Sequence, residues 1–119
     1  MSQRFNALKG KKVFVTGHTG FTGSWACIWL NQIGCEVFGY SLAPETNPNL
    51  YTEAKVETLV TGKFADIRDF ATLREEIVRF QPDLVLHLAA QPLVRKSYRI
   101  PRETFEINAQ GTANLLEAI

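Results

Sequence analysis

Three glycines at a spacing of three, Gly17, Gly20 and Gly23, punctuate the segment Gly17-His-Thr-Gly20-Phe-Thr-Gly23 of this 119-residue chain. Their chemistry would be the capture of a pyrophosphate. Its charge must be met by donors when it leaves water, and the free backbone N–H groups at a helix start supply them without a side chain. Gly17 would make the tight turn, Gly20 would let phosphates approach the main chain, and Gly23 would let the helix pack near the preceding strand. The spacing is GxxGxxG rather than the commoner GxGxxG, so the glycines gain meaning from their setting. The candidate binding residues are Gly17, His18, Thr19, Gly20, Phe21, Thr22 and Gly23; His18 either faces the ligand or is a solvated turn residue.

A second candidate stands about twenty residues beyond Gly20, where a dinucleotide's adenosine ribose is normally read. A site selective for NAD usually carries Asp or Glu there, to accept from the ribose 2'-hydroxyl. This chain has Tyr40-Ser41-Leu42 instead. Ser41 can donate or accept, repels a 2'-phosphate less than a carboxylate would, and has no Arg or Lys within a few residues. These residues predict NAD over NADP, with weakened discrimination.

The surrounding elements place both candidates. Lys12-Val-Phe-Val-Thr16 reads as a strand, the apolar stretch from Ser24 to Ile33 as a helix, Gly34 as its left-handed cap, and Glu36 to Ser41 as a second strand. That is one βαβ unit with a right-handed crossover. Pro44, Asn47, Pro48 and Asn49 mark an excursion with one helical turn near Leu50, before a short third strand around Leu59 to Ala65. Asp69 would cap a helix whose apolar positions are Phe70, Leu73, Ile77 and Phe80, ended by Pro82 and Asp83. The run Leu84 to Ala90 lacks alternation, as expected of a strand covered on both faces. A last helix from about Glu103 would carry Phe105, Thr112, Leu115 and Ile119 along one stripe. The expected fold is α/β: a Rossmann-type doubly wound parallel sheet in the order 3-2-1-4, the first half of the fold with flanking helices.

Composition narrows the classes. A formal charge of +1 lacks the footprint of a nucleic-acid binder, and the longest apolar run, Trp25 to Leu30, is far too short to cross a bilayer. A soluble, cytoplasmic protein with no nucleic-acid or membrane partner is the expectation. Cys27 and Cys35 form no CxxC pair and read as small buried hydrophobes; no metal site is expected.

Four stretches together resemble the extended short-chain dehydrogenase/reductase family, within it the nucleotide-sugar 4,6-dehydratases: Val15 to Trp25, Ala65-Asp-Ile-Arg-Asp69, His87-Leu-Ala-Ala-Gln91, and Asn108 to Ala118. The likeness runs over nearly the whole chain after residue 10; the wording GHTGFTGSW and Gln91-Pro-Leu-Val-Arg95 carry its finer part. It implies that Asp66 accepts from the adenine amine with the Ile67 backbone facing the ring, unless Asp66 only caps the following helix. It implies that Leu88, Ala89 and Ala90 pass beneath the pyrophosphate and nicotinamide-side ribose, where a buried strand end would explain the alanines as well. Gln91, Arg95 and Ser97 would line the substrate side, although Arg95 and Lys96 also suit a solvated face.

The reaction implied is oxidation at C4 of CDP-glucose with NAD, loss of water across C5 and C6, and hydride return to C6, in a homo-oligomer. An epimerase of the same family and a non-catalytic dinucleotide-sensing module remain alternatives. The family's base is the tyrosine of YxxxK, its pKa lowered by the lysine. Tyr51-Thr-Glu-Ala-Lys55 has the spacing but lies before the third strand, on the adenine side, and Tyr98 to Arg102 is interrupted by Pro101. No catalytic residue is therefore expected in this chain. Asn108 and His87 read as satisfied structural polar groups, and the uncapped last helix leads us to expect the cofactor-binding part of a longer enzyme, with the catalytic and substrate parts absent.

Overall fold

The computed structural model describes residues 3–119. Four parallel strands, β1 (Lys12–Thr16), β2 (Glu36–Ser41), β3 (Thr61–Phe64) and β4 (Leu84–His87), stand in the order β3-β2-β1-β4. This is the expected topology. Side chains alternate across β1 and divide the core. Val13 and Val15 pack with Cys27 and Leu30 of α1 (Phe21–Ile33) and with Tyr51 of α2 (Leu50–Glu53). Phe14 and Tyr40 face the other way, onto Leu73 and Ile77 of α3 (Phe70–Phe80) and Leu115 of α6 (Gly111–Ala118). Helices thus cover both faces of the sheet's centre, the doubly wound arrangement.

Local signals act where expected. Gly34 takes φ 98° and ends α1 with its N–H on Asn31 O and Leu30 O. Asp69 caps α3 by accepting from Thr72 N at 3.2 Å and Thr72 Oγ1 at 2.7 Å. Asn49 caps the one-turn α2 through Thr52 N. Cys27 is buried and Cys35 is half-buried with its Sγ toward Leu8 O.

Two expectations need correction. The run 84–90 is not a strand covered on both faces. β4 ends at His87, and Leu84 and Leu86 stay 44% and 38% exposed, because α1 lies over β1 and β2 and no described element covers β4 on that side. The last helix is also not one stripe. Pro101–Phe105 (α5) runs into a π-helical segment, Glu106–Gln110, before α6. The wider π turn shifts the facing positions, so Gly111, Asn114, Leu115 and Ala118 point inward while Phe105 and Ile119 are exposed. A short helix, α4 (Val94–Arg99), fills the connection after β4. No helix among the described residues is long and apolar enough to cross a membrane.

Candidate dinucleotide-binding site

The turn between β1 and α1 is shaped by its outer glycines and left open by its middle one. Gly17 has φ 75°, and a Cβ there would lie 2.7 Å from Ala89 N, in the loop after β4. A Cβ on Gly23 would stand 2.0 Å from Gly17 O. Both positions need glycine for the protein's own packing. At Gly20 the nearest atom would be 3.5 Å away, an ordinary contact, so the protein itself does not require glycine there. The opening is what a phosphate approaching the main chain would use. The first α-helical bond of α1 runs from Ser24 N to Gly20 O at 2.8 Å; the N–H groups of Phe21, Thr22 and Gly23 have no partner among the described residues. Phe21 and Thr22 are exposed, and Ser24 Oγ donates to His18 O, bracing the turn from beneath. These features fit a pyrophosphate.

His18 takes neither of its expected positions. Its ring is 1% exposed, turned under the loop into a niche between Gly39 of β2 and Gly62 of β3, with Tyr51 edge-on and Phe64 tilted against it. A Cβ on Gly39 would be 2.2 Å from the ring. Nδ1 has no hydrogen-bond partner among the described residues, and burial lowers the pKa to about 4, so the imidazole is neutral. The solvated-turn reading is thereby corrected: the ring is a wedge under the turn.

At the end of β2, Ser41 Oγ lies 2.9 Å from Thr19 Oγ1, which also donates to Leu42 O at 2.7 Å. The glycine turn is thus tied to the strand end expected to read the ribose. Between Lys12 and Lys55 the chain has no Arg or Lys.

Asp66 follows β3, with both carboxylate oxygens on the Arg68 guanidinium (Oδ2 to Nη2 2.7 Å, Oδ1 to Nε 3.0 Å) and Oδ1 also accepting from Arg68 N. The Arg68 hydrogen bonds hold its carboxyl below the usual range, so it stays an ionised acceptor. Asp66 therefore caps its own turn and not α3, and keeps lone pairs for a donor such as an adenine amine. Ile67 is buried beneath Gly111, and its carbonyl turns inward to Asn114 Nδ2 at 3.1 Å.

The loop after β4 is organised by Thr16, a residue the sequence reading passed over. Thr16 Oγ1 accepts from Leu88 N (3.0 Å) and Ala89 N (3.1 Å), so its own proton goes to His87 Nδ1 at 2.7 Å. Nε2 of His87 then carries the ring's proton and donates to Thr112 Oγ1, which in turn donates to Asn108 O. Burial lowers the His87 pKa, in keeping with this neutral tautomer. Asn108 accepts from Gln91 N at 2.8 Å and donates to Gln91 O at 3.1 Å. The structural readings of His87 and Asn108 agree with these contacts. Gln91, expected to line the substrate side, is buried, with Oε1 accepting from Leu93 N and Nε2 donating to Leu93 O and Thr104 Oγ1. Ala90 continues the loop between these braced residues.

The two Tyr-centred false leads are also placed. Tyr51 is buried against His18, with its pKa raised by burial and Lys55 in a left-handed cap, the opposite of an activated base. Tyr98 is 82% exposed, and Pro101 starts a new helix. No cluster of metal-ligating side chains occurs among the described residues.

Comparison with known proteins extends the geometry. Residues 14–119 match the model of a family described as GDP-mannose 4,6 dehydratase. The chain is 49% identical over 114 residues to the CDP-glucose 4,6-dehydratase of Salmonella typhimurium, covering 96% of this chain and 32% of that protein. It is 32% identical over 115 residues to the GDP-mannose 4,6-dehydratase of Vibrio cholerae, covering 92% of this chain and 31% of that one. Among solved structures, UDP-glucose-4-epimerase from Stenotrophomonas maltophila, with bound NAD and formylated UDP-arabinopyranose, superposes at TM-score 0.78 with 31% identity over 91% of this chain and 33% of its own. UDP-glucose 4-epimerase from Brucella ovis in complex with NAD superposes at TM-score 0.78 with 28% identity, covering 92% of this chain and 32% of its own. The chain spans about a third of the length of these proteins. With its parallel sheet, its open glycine turn and a family match from residue 14 to residue 119, the chain belongs to the GDP-mannose 4,6 dehydratase family.

Proposed function

We propose that this chain is the NAD-binding portion of a nucleotide-sugar 4,6-dehydratase that acts on CDP-glucose. The observation that carries the cofactor reading is Gly20: a glycine the protein's packing does not need, at the head of a helix whose first N–H groups lack partners among the described residues. The turn Gly17 to Gly23 would hold the pyrophosphate, Ser41 the adenosine ribose, and Asp66 the adenine amine, with the Ile67 backbone at the ring edge. Leu88, Ala89 and Ala90 would floor the nicotinamide-side ribose, held in place by Thr16 and by the Asn108–Gln91 pair. Bound NAD would accept a hydride from C4 of the sugar and return it at C6 after water has left across C5 and C6. The groups that remove the protons and the water belong to the rest of the enzyme.

The substrate rests on the 49% identity to a CDP-glucose 4,6-dehydratase. The epimerase reading draws on the superposed UDP-glucose epimerases, whose identities are lower. One assay separates the two. The intact protein incubated with CDP-glucose and NAD should yield a product lighter by one water. A product of unchanged mass would favour the epimerase, and binding of NAD without turnover of any nucleotide sugar would favour a sensing module.

A further inference from the structure

The hydroxyl of Ser41 has its hydrogen-bonding direction set by a neighbour. Thr19 Oγ1 stands 2.7 Å from Leu42 O and 2.9 Å from Ser41 Oγ. A carbonyl oxygen only accepts and a threonine hydroxyl has one proton, so that proton goes to Leu42 and a lone pair faces Ser41. The Ser41 proton fills that contact. What Ser41 can then offer a ligand is lone pairs, the same offer a carboxylate makes. Thr19 is 8% exposed, which leaves little room for water to replace either bond.

Building on the NAD reading above, we propose that Thr19 is the specificity-determining positioning residue of the site: it holds the Ser41 proton and so makes a neutral serine behave as the missing acid. Ser41 accepts from a ribose 2'-hydroxyl, which is a donor. A 2'-phosphate brings oxygens without protons and meets the Ser41 lone pairs; residues 13–54 contain no Arg or Lys, and Lys63, in register with Tyr40, is engaged by Glu76 at 3.4 Å. Discrimination against NADP thus depends on a hydrogen-bond direction set one residue away from the ligand.

The test is titration calorimetry of the intact protein with NAD and with NADP, comparing wild type, Thr19→Ser, Thr19→Val and Ser41→Ala. Thr19→Ser keeps the hydroxyl and should keep the ratio of the two dissociation constants. Thr19→Val frees the Ser41 proton to turn outward, and the preference for NAD should fall by about fivefold, the scale of one hydrogen bond, with NADP gaining. A general loosening of the turn would weaken both cofactors together and leave the ratio alone. Ser41→Ala should weaken NAD by about fivefold and leave NADP nearly unchanged, a result that decides the matter if Thr19→Val does not fold. An unmoved ratio in Thr19→Val, or equal weakening of both cofactors by Ser41→Ala, overturns the inference while NAD binding stands. Wild type binding neither dinucleotide overturns the cofactor reading and the inference with it.

Discussion

The turn after β1 and the loop after β4 lie against each other, with Gly17 touching Leu88 and Ala89, yet they use hydrogen bonds in opposite ways. In the loop most donors are engaged, Leu88 N and Ala89 N on Thr16, Gln91 N on Asn108, Leu93 N on Gln91 Oε1 and Gln91 Nε2 on Thr104 Oγ1, while Ala90 N alone has no partner among the described residues. In the turn the N–H groups of Phe21, Thr22 and Gly23 are left over among the described residues. Polar groups shut away from water are nearly always paired, so engaged donors mark a brace, and leftover donors at an open helix start mark a place for a ligand's charge. The contrast supports the proposal that the β4 loop chiefly braces the site while the β1 turn meets a ligand's charge.

The sharpest way to break that division lies within the turn itself. Gly23→Ala drives a methyl into Gly17 O, backbone that has no rotamer with which to retreat, and should cost about 3 kcal/mol or more in urea unfolding. Gly20→Ala meets ordinary contacts, and its loss of stability should stay within about 1 kcal/mol, the scale of a changed N-cap residue. Its NAD affinity should nevertheless fall at least about tenfold, because the methyl stands where phosphate would approach the main chain. Equal stability losses in the two variants, or undiminished NAD binding in Gly20→Ala, would remove the basis for calling the turn a ligand cradle.

His18 tests whether the turn rests on a dry foundation. Its pKa is about 4 in the fold against an ordinary 6.5, so the unfolded chain takes up a proton that the folded chain refuses. Stability is full above pH 6.5 and is lost as pH falls from there towards 4, by about 3 kcal/mol at pH 4. Unfolding by urea at several pH values should show this decline. In His18→Phe, which keeps an aromatic wedge and removes the titration, it should be much shallower. His87, also neutral through burial, adds a decline of the same sign in both proteins. Identical pH profiles would mean that the His18 ring is not shut in beneath the loop.

Most of the fold was legible because its signals are local. A β-branched run before a glycine turn, a cap such as Asp69, and the helical spacing of Leu73 and Ile77 each need only near neighbours. The misreadings depended on distant partners. β4 stops at His87 because Leu88 N and Ala89 N turn to Thr16, more than seventy residues back. The last helix changes face at a π segment that apolar spacing alone does not announce. His18 is buried because Gly39 and Gly62 stand opposite each other in β2 and β3. A glycine inside each of two paired strands is a readable sign of another group's close approach, and it was the one signal that could have found the niche. The direction of the Thr19–Ser41 bond has no such sign, since it depends on where Leu42 O points.

The smallest effect expected here belongs to the braced side. Asn108→Ala leaves Gln91 N and Gln91 O without their partner next to a buried side chain. An unsatisfied pair of this kind costs on the order of 2 kcal/mol, so urea unfolding should register a loss of that size. Leu88 and Ala89 are still held by Thr16, and the turn after β1 is untouched. NAD affinity should therefore fall by less than about threefold in the folded variant, well under one hydrogen bond's worth. If Asn108→Ala weakened NAD as strongly as Gly20→Ala while unfolding like wild type, Asn108 would be a ligand contact. The separation of brace from binding turn would then fail on the side where it is drawn most firmly.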